Sequence, residues 1–168
     1  CLLSSCTSDG NDQKEWVFRS VFQPEQIIKI TKDPNMVIMN KTAKQMIFCD
    51  TNKQLHCFKS EGLNFSAPKS DLSLGKTWTH NKVFYQVTMT SPRAILGIEG
   101  DVFTIQSKNN KSDSDDSIVL FWYSPYHGLI GFSDAKPHTL GFFALEGRCG
   151  FAANPLCGSE VLRQLQRK

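Results

Sequence analysis

No run in this 168-residue chain approaches the roughly 20 consecutive apolar residues that a membrane-spanning helix needs. Charge of one sign is missing too. Nineteen Lys and Arg stand against 16 Asp and Glu, a net +3, and the basic residues are scattered, which gives no electrostatic footprint for nucleic acid. Glycine-rich phosphate loops are absent, and no Gly-x-Ser-x-Gly elbow surrounds Ser124, the serine closest in sequence to His127. None of the four histidines, His56, His80, His127 and His138, sits in a spacing that places two on one metal. Asp113-Ser114-Asp115-Asp116 lacks the glycine and the distal Glu of a calcium loop and reads as a solvated hairpin tip. These absences lead us to expect no catalytic residues, no metal and no cofactor.

What is present favours a packed β domain. With 40% hydrophobic and 21% charged residues the chain has enough apolar material for one full core. Phe is abundant, with 12 copies, and together with many Val, Ile and Thr it favours pleated strands. Short apolar or alternating runs bounded by turn residues recur at 15–22, 36–39, 45–49, 54–59, 82–89, 94–98, 102–106, 118–123, 129–132 and 139–145. The segment 26–30, after Pro24, is compatible with a strand or the start of a short helix. Residues 60–71 read as a long connection and 107–117 as a polar hairpin loop. The segment 158–168 has a Ser cap, an acid near its start and bases at its end, and should be helical, with Val161, Leu162 and Leu165 on its buried side. The expected fold is mainly β: a single antiparallel β-barrel or β-sandwich domain over 15–168, with a short C-terminal α-helix.

Six cysteines divide into a leading pair, Cys1 and Cys6, and two pairs with seven residues between their members, Cys49 with Cys57 and Cys149 with Cys157. Local disulfides are the economical reading of the latter four, although four cysteines allow three pairings. Cys49 and Cys57 flank a hairpin turn, and Cys149 and Cys157 enclose a small loop. On the chain-entropy account each bond contributes somewhat under ~3 kcal/mol. Such bonds imply an oxidising compartment. A four-thiol zinc site is the rival, but zinc modules place their cysteine pairs closer together. Free buried thiols are a third alternative.

Leu3-Ser4-Ser5-Cys6 resembles the lipobox of bacterial lipoproteins, in which Leu and two small residues precede the Cys that receives lipid. Small residues let a processing peptidase approach the backbone, and the thiol supplies the nucleophile for diacylglyceryl transfer. Each buried methylene then contributes about 0.8 kcal/mol, so two or three acyl chains, palmitate among them, hold without a spanning segment. Cys1 competes for the role, because a chain opening on Cys is itself what lipoprotein processing leaves. The polar run from Thr7 to Lys14 reads as a tether, so that residues 1–14 form a lipobox remnant and tether. The unlipidated alternative is a secreted protein in which Cys1 and Cys6 pair with each other.

Three further elements carry a second resemblance. Leu72, Gly75 and Trp78 fit a Leu-x-x-Gly-x-x-Trp element, and Gly100 and Phe103 a Gly-x-x-Phe element in which Asp101 and Val102 replace small residues. Trp122, Tyr123, Pro125, Gly128, Leu129 and Ile130 fit a Trp-Tyr-x-Pro-x-x-Gly-Leu-Ile hairpin. Over about 72–132 the chain is similar to uncharacterised bacterial envelope lipoproteins. That resemblance implies a lipid-anchored protein of the bacterial outer membrane, facing periplasm or cell surface. Its partners would be the membrane, through the N-terminal lipid, and an envelope protein or apolar ligand. From the residues themselves, Pro125 and Gly128 suit a hairpin turn, with Gly128 free to take positive φ. That hairpin closes a sheet with an aromatic plug, or its Trp122, Tyr123 and Tyr126 form a ligand platform.

Two other functions compete. Asn40-Lys41-Thr42, Asn64-Phe65-Ser66 and Asn110-Lys111-Ser112 match the glycan acceptor pattern, as a soluble secreted lipocalin-like carrier of an apolar ligand would use. A small hydrolase would instead need Ser124 and His127 to converge with a carboxylate such as Asp134. A carrier predicts a hollow barrel, and a scaffold a filled one.

Overall fold

A computed structural model of the chain describes residues 14–49, 54–92, 95, 97–98, 100–109, 118–136 and 139–158. Twelve strands occur in this part, and no helix is found among the described residues. They are β1 (Glu15–Ser20), β2 (Ile27–Lys32), β3 (Asn35–Met39), β4 (Thr42–Phe48), β5 (Leu55–Ser60), β6 (Asn64–Pro68), β7 (Thr77–His80), β8 (Val83–Ser91), β9 (Val102–Asn109), β10 (Ile118–Ser124), β11 (Gly128–Lys136) and β12 (Thr139–Leu145).

All pairings are antiparallel, and the spatial order β6-β5-β4-β3-β2-β1-β12-β11-β10-β9-β8-β7 makes one continuous sheet. The first and last strands meet in its middle, where Phe18 pairs with Leu145 and Ser20 with Phe143. Two six-strand meanders are thereby joined, which leaves β6 and β7 as the edges among the described strands. The sheet is barrel-like and nearly closed.

The edges lap rather than pair. Residues opposite each other on paired strands share a face, so Phe58 and Phe65 face the interior while Cys57 and Ser66 face outward. Outward residues of an ordinary barrel are wet, yet Cys57 and Ser66 are buried. Trp78 and His80, on the inner face of β7, cover them. The Trp78 indole donates to Ser66 Oγ at 3.2 Å and stacks on Tyr85, whose hydroxyl donates to the Asn64 carbonyl at 3.3 Å. The overlap hides the sheet edges that would otherwise invite pairing with another chain.

Aromatic side chains fill the interior. Phe18, Phe58, Phe65, Phe121, Phe132, Tyr85 and Tyr123 are buried there with Ile30, Val37 and Ile105. Phe65 sits 5.2 Å from Phe121 and 5.5 Å from Phe58, ring centre to ring centre. The period-2 alternation of apolar residues on β1, β2, β8 and β10 puts these groups on one side of the sheet.

One open choice is resolved and three readings of the sequence are corrected. Residues 26–30 do not start a helix: Ile28 and Ile30 alternate into the core from β2. The connection at 60–71 contains β6, whose Phe65 and Ala67 are buried, so two core residues outweighed the surrounding turn chemistry. The described residues of 94–98 form no strand. Ile95 and Ile98 instead bond to each other across a tight turn in which Gly97 takes φ +72°. The polar loop also begins later than read, because β9 runs to Asn109. The expected helix from Ser159 on, the lipidation candidates Cys1 and Cys6, His138, Asp113 to Asp116 and the acceptor Asn110 lie outside the described residues.

Candidate functional site

Both local disulfides are formed, Cys49–Cys57 with Cα atoms 5.2 Å apart and Cys149–Cys157 with Cα atoms 5.9 Å apart. The four-thiol zinc arrangement and the free-thiol alternative are thereby set aside. Both bonds lie at one end of the barrel, where β1 and β5 begin and β2, β4 and β6 end.

The second disulfide loop turns into that end. Gly150 N–H donates to the His127 carbonyl at 2.7 Å, Leu129 N–H to the Phe151 carbonyl at 2.8 Å, and Asn154 N–H to the Tyr126 carbonyl at 2.9 Å. Two glycines make this approach feasible. A Cβ on Gly150 would overlap the Leu129 carbonyl, and one on Gly128, which takes φ +75°, would overlap the Phe151 carbonyl oxygen. The Tyr126 hydroxyl donates to the Leu156 carbonyl and His127 Nδ1 to the Arg148 carbonyl, each at 2.9 Å. Held in this way, Phe151 reaches into the barrel and packs at 5.4 Å from Trp16 and Phe48 and 5.1 Å from Phe58.

Above this plug lies an open cavity of about 580 Å³. Its apolar floor is Trp16, Phe48 and Phe151, and the charged and titratable residues around it are Lys14, Lys32, Lys69, His56 and Asp33. Three ammonium groups thus meet one carboxylate, which is paired with Lys14 at 3.6 Å. His56 is held below its ordinary pKa of 6.5, first by burial and second by the Lys69 charge, so its imidazole is neutral at pH 7. Nearby, burial raises the Tyr123 hydroxyl to about 12, leaving it a neutral phenol.

A second cluster borders this cavity at the lap of the sheet. His80 Nε2 lies 3.3 Å from Cys49 Sγ and 3.4 Å from Cys57 Sγ. Burial, then the Lys59 charge, lowers the pKa of His80. His80 was not singled out by sequence spacing, because it reaches the disulfide from the opposite edge of the sheet.

The residues of the expected platform are separated. Tyr123 points into the core, with its ring 5.9 Å from Phe65, whereas Trp122 joins an external cluster with Ile98, Val102 and Ile130 and meets Phe142 at 4.8 Å. Tyr126 is engaged by the disulfide loop. Ser124 is buried and its Oγ accepts the His127 backbone N–H at 3.3 Å, a turn-capping use, while His127 Nδ1 is taken by Arg148. Asn64 is half-buried in β6 and Asn40 is exposed at the β3–β4 turn.

Compared with known protein families, curated proteins and solved structures, the chain matches none.

Proposed function

We propose that this chain is a lipid-anchored bacterial envelope protein whose barrel is a binding module, with its ligand site at the mouth cavity. The observation that carries the binding role is the pairing of an aromatic floor with a rim of three lysines and His56 around about 580 Å³, within the size range of small-molecule sites. Such a site suits a small anion, a carboxylate or phosphate ester, with a short apolar portion. The floor takes the apolar part out of water, and the ammonium groups meet the charge as it does so. The tightly packed interior argues against a ligand enclosed along the barrel axis.

The anchor rests on the lipobox resemblance at Cys6, with Cys1 as the alternative acceptor, and on the oxidising compartment that two disulfides favour. Lys14, where the tether would end, is at the cavity rim. From a lipidated Cys6 an extended tether of eight residues reaches at most about 29 Å, so the mouth would stay near the bilayer surface. A soluble carrier would use the same cavity and differ only in lacking lipid.

Two measurements test the proposal. Intact mass of the protein extracted from its native membrane should include acyl chains, and an unmodified mass removes the anchor. Fluorescence of Trp16 should respond to decanoate, and less to decanol or inorganic phosphate, because only decanoate uses both floor and rim. A response to none of the three removes the binding site.

A further inference from the structure

The disulfide at the lap of the sheet has a histidine on both of its sulfurs, and this arrangement contains more than a cross-link. We propose that Cys49, Cys57 and His80 form a redox-gated metal site: a disulfide when oxidised, and a two-thiolate, one-imidazole site for a thiophilic ion of the zinc class when reduced.

The geometry is close to that of a loaded site before any ion enters. In a tetrahedral centre with Zn–S near 2.3 Å and Zn–N near 2.0 Å, sulfur and nitrogen lie about 3.5 Å apart. His80 Nε2 is already 3.3 Å and 3.4 Å from the two Sγ atoms. The ligand atoms fall within 4.8 Å of one another, and this is the one such group among the described residues. On cleavage of the S–S bond the sulfurs need only separate to about 3.8 Å, a change within reach of side-chain rotation.

The imidazole is prepared for the role. Asn81 Nδ2 lies 2.9 Å from Nε2, and its amide N–H donates there, which places the ring proton on Nδ1 and keeps the single Nε2 lone pair unprotonated. An ion would take that lone pair by displacing the Asn81 amide. Cys57 is buried and Cys49 half-buried, but both also line the mouth cavity, which supplies a path for an ion and for a reductant.

The chemistry balances with a small dithiol as reductant. Its two thiols are oxidised to a disulfide while the Cys49–Cys57 bond takes up two electrons and two protons. Entry of the divalent ion then displaces both thiol protons to solvent, and a water would complete its coordination. Because His80 belongs to β7, whereas Cys49 follows β4 and Cys57 lies in β5 beside the edge strand β6, the ion would join the two edges of the sheet. Reduction would thus replace a staple within one hairpin by a clamp across the lap.

The full chain, reduced by a dithiol and freed of it under anaerobic conditions, is titrated with Co(II) and followed by its thiolate charge-transfer and ligand-field bands. We expect one Co(II) per reduced chain in a tetrahedral two-thiolate spectrum, no such bands from the oxidised chain, and affinity lowered at least about tenfold by His80→Ala. The oxidised variant keeps its disulfide, so its folding can be checked by near-ultraviolet circular dichroism. A reading independent of any variant is ring ¹⁵N NMR of the reduced wild type, in which Zn(II) should shift His80 Nε2. Equal binding by oxidised and reduced chains, no binding by the reduced chain, or an unmoved His80 Nε2 would overturn the proposal.

Discussion

The ring of Phe151 packs 5.1 Å from that of Phe58, edge to face, although one lies in a C-terminal loop and the other in the fifth strand. This contact closes the barrel end and makes the floor of the cavity. Phe151→Ala should therefore lower stability toward the low end of the ~3–5 kcal/mol typical of such truncations, because Phe151 is only half-buried. The midpoint of urea unfolding measures this. The same variant should weaken decanoate binding, since the apolar floor is lost.

Gly150 and Gly128 allow the disulfide loop to lie on the start of β11. Gly150→Ala forces its methyl group against the Leu129 carbonyl, a backbone atom with no room to yield. We expect a loss of more than about 1 kcal/mol and a loop lifted from the mouth. Thermal unfolding and limited proteolysis near Asn154 report the two effects, and an unchanged cleavage rate would count against the loop's docking.

Only part of this site is legible in the sequence. The two disulfides followed from equal local spacings, and the hairpin at 122–130 from Pro125 and Gly128, because both depend on residues near one another in the chain. Strand β6 was hidden because Glu61-Gly62, Pro68 and Ser70-Asp71 dominate a segment with only Leu63, Phe65 and Ala67 as buried hydrophobics. The meeting of His80 with Cys49 and Cys57 depends on the lap of two sheet edges, and no local periodicity encodes that. Trp122 and Tyr123 looked like one platform, but neighbours on a strand point to opposite faces.

The lap itself is held by Trp78 on Ser66. In a double-mutant cycle of Trp78→Phe and Ser66→Ala, each single change should destabilise and the pair should show a coupling of about 0.5–1.5 kcal/mol. Zero coupling in urea unfolding would mean that the 3.2 Å hydrogen bond does not join the edges in solution.

Acid should destabilise the fold through His56 and His80. Both are held below 6.5, chiefly by burial and secondarily by Lys69 and Lys59 respectively. The unfolded chain therefore binds more protons than the folded one just below pH 6.5, and this contribution is complete above that value and lost as pH falls through the lowered folded pKa values. Urea midpoints should drop between pH about 7.5 and about 5, less so in a His56→Gln, His80→Gln double variant. Lys69→Met should raise the His56 pKa only in part, because burial remains, and histidine NMR titration checks this.

Anion binding should run the other way with pH. A bound carboxylate favours protonated His56, so affinity for decanoate should increase as pH falls toward the His56 pKa. Isothermal titration calorimetry at two pH values tests it, and Lys69→Glu should reduce affinity at both.

The site assignment is tested most directly by ¹H–¹⁵N NMR of the labelled full chain during titration with decanoate. The predicted result is a saturable set of shifts confined to the mouth, at the Trp16 indole and the amides of Cys49, His56, Gly150 and Phe151. Shifts centred elsewhere, or none at saturating decanoate, would contradict the account.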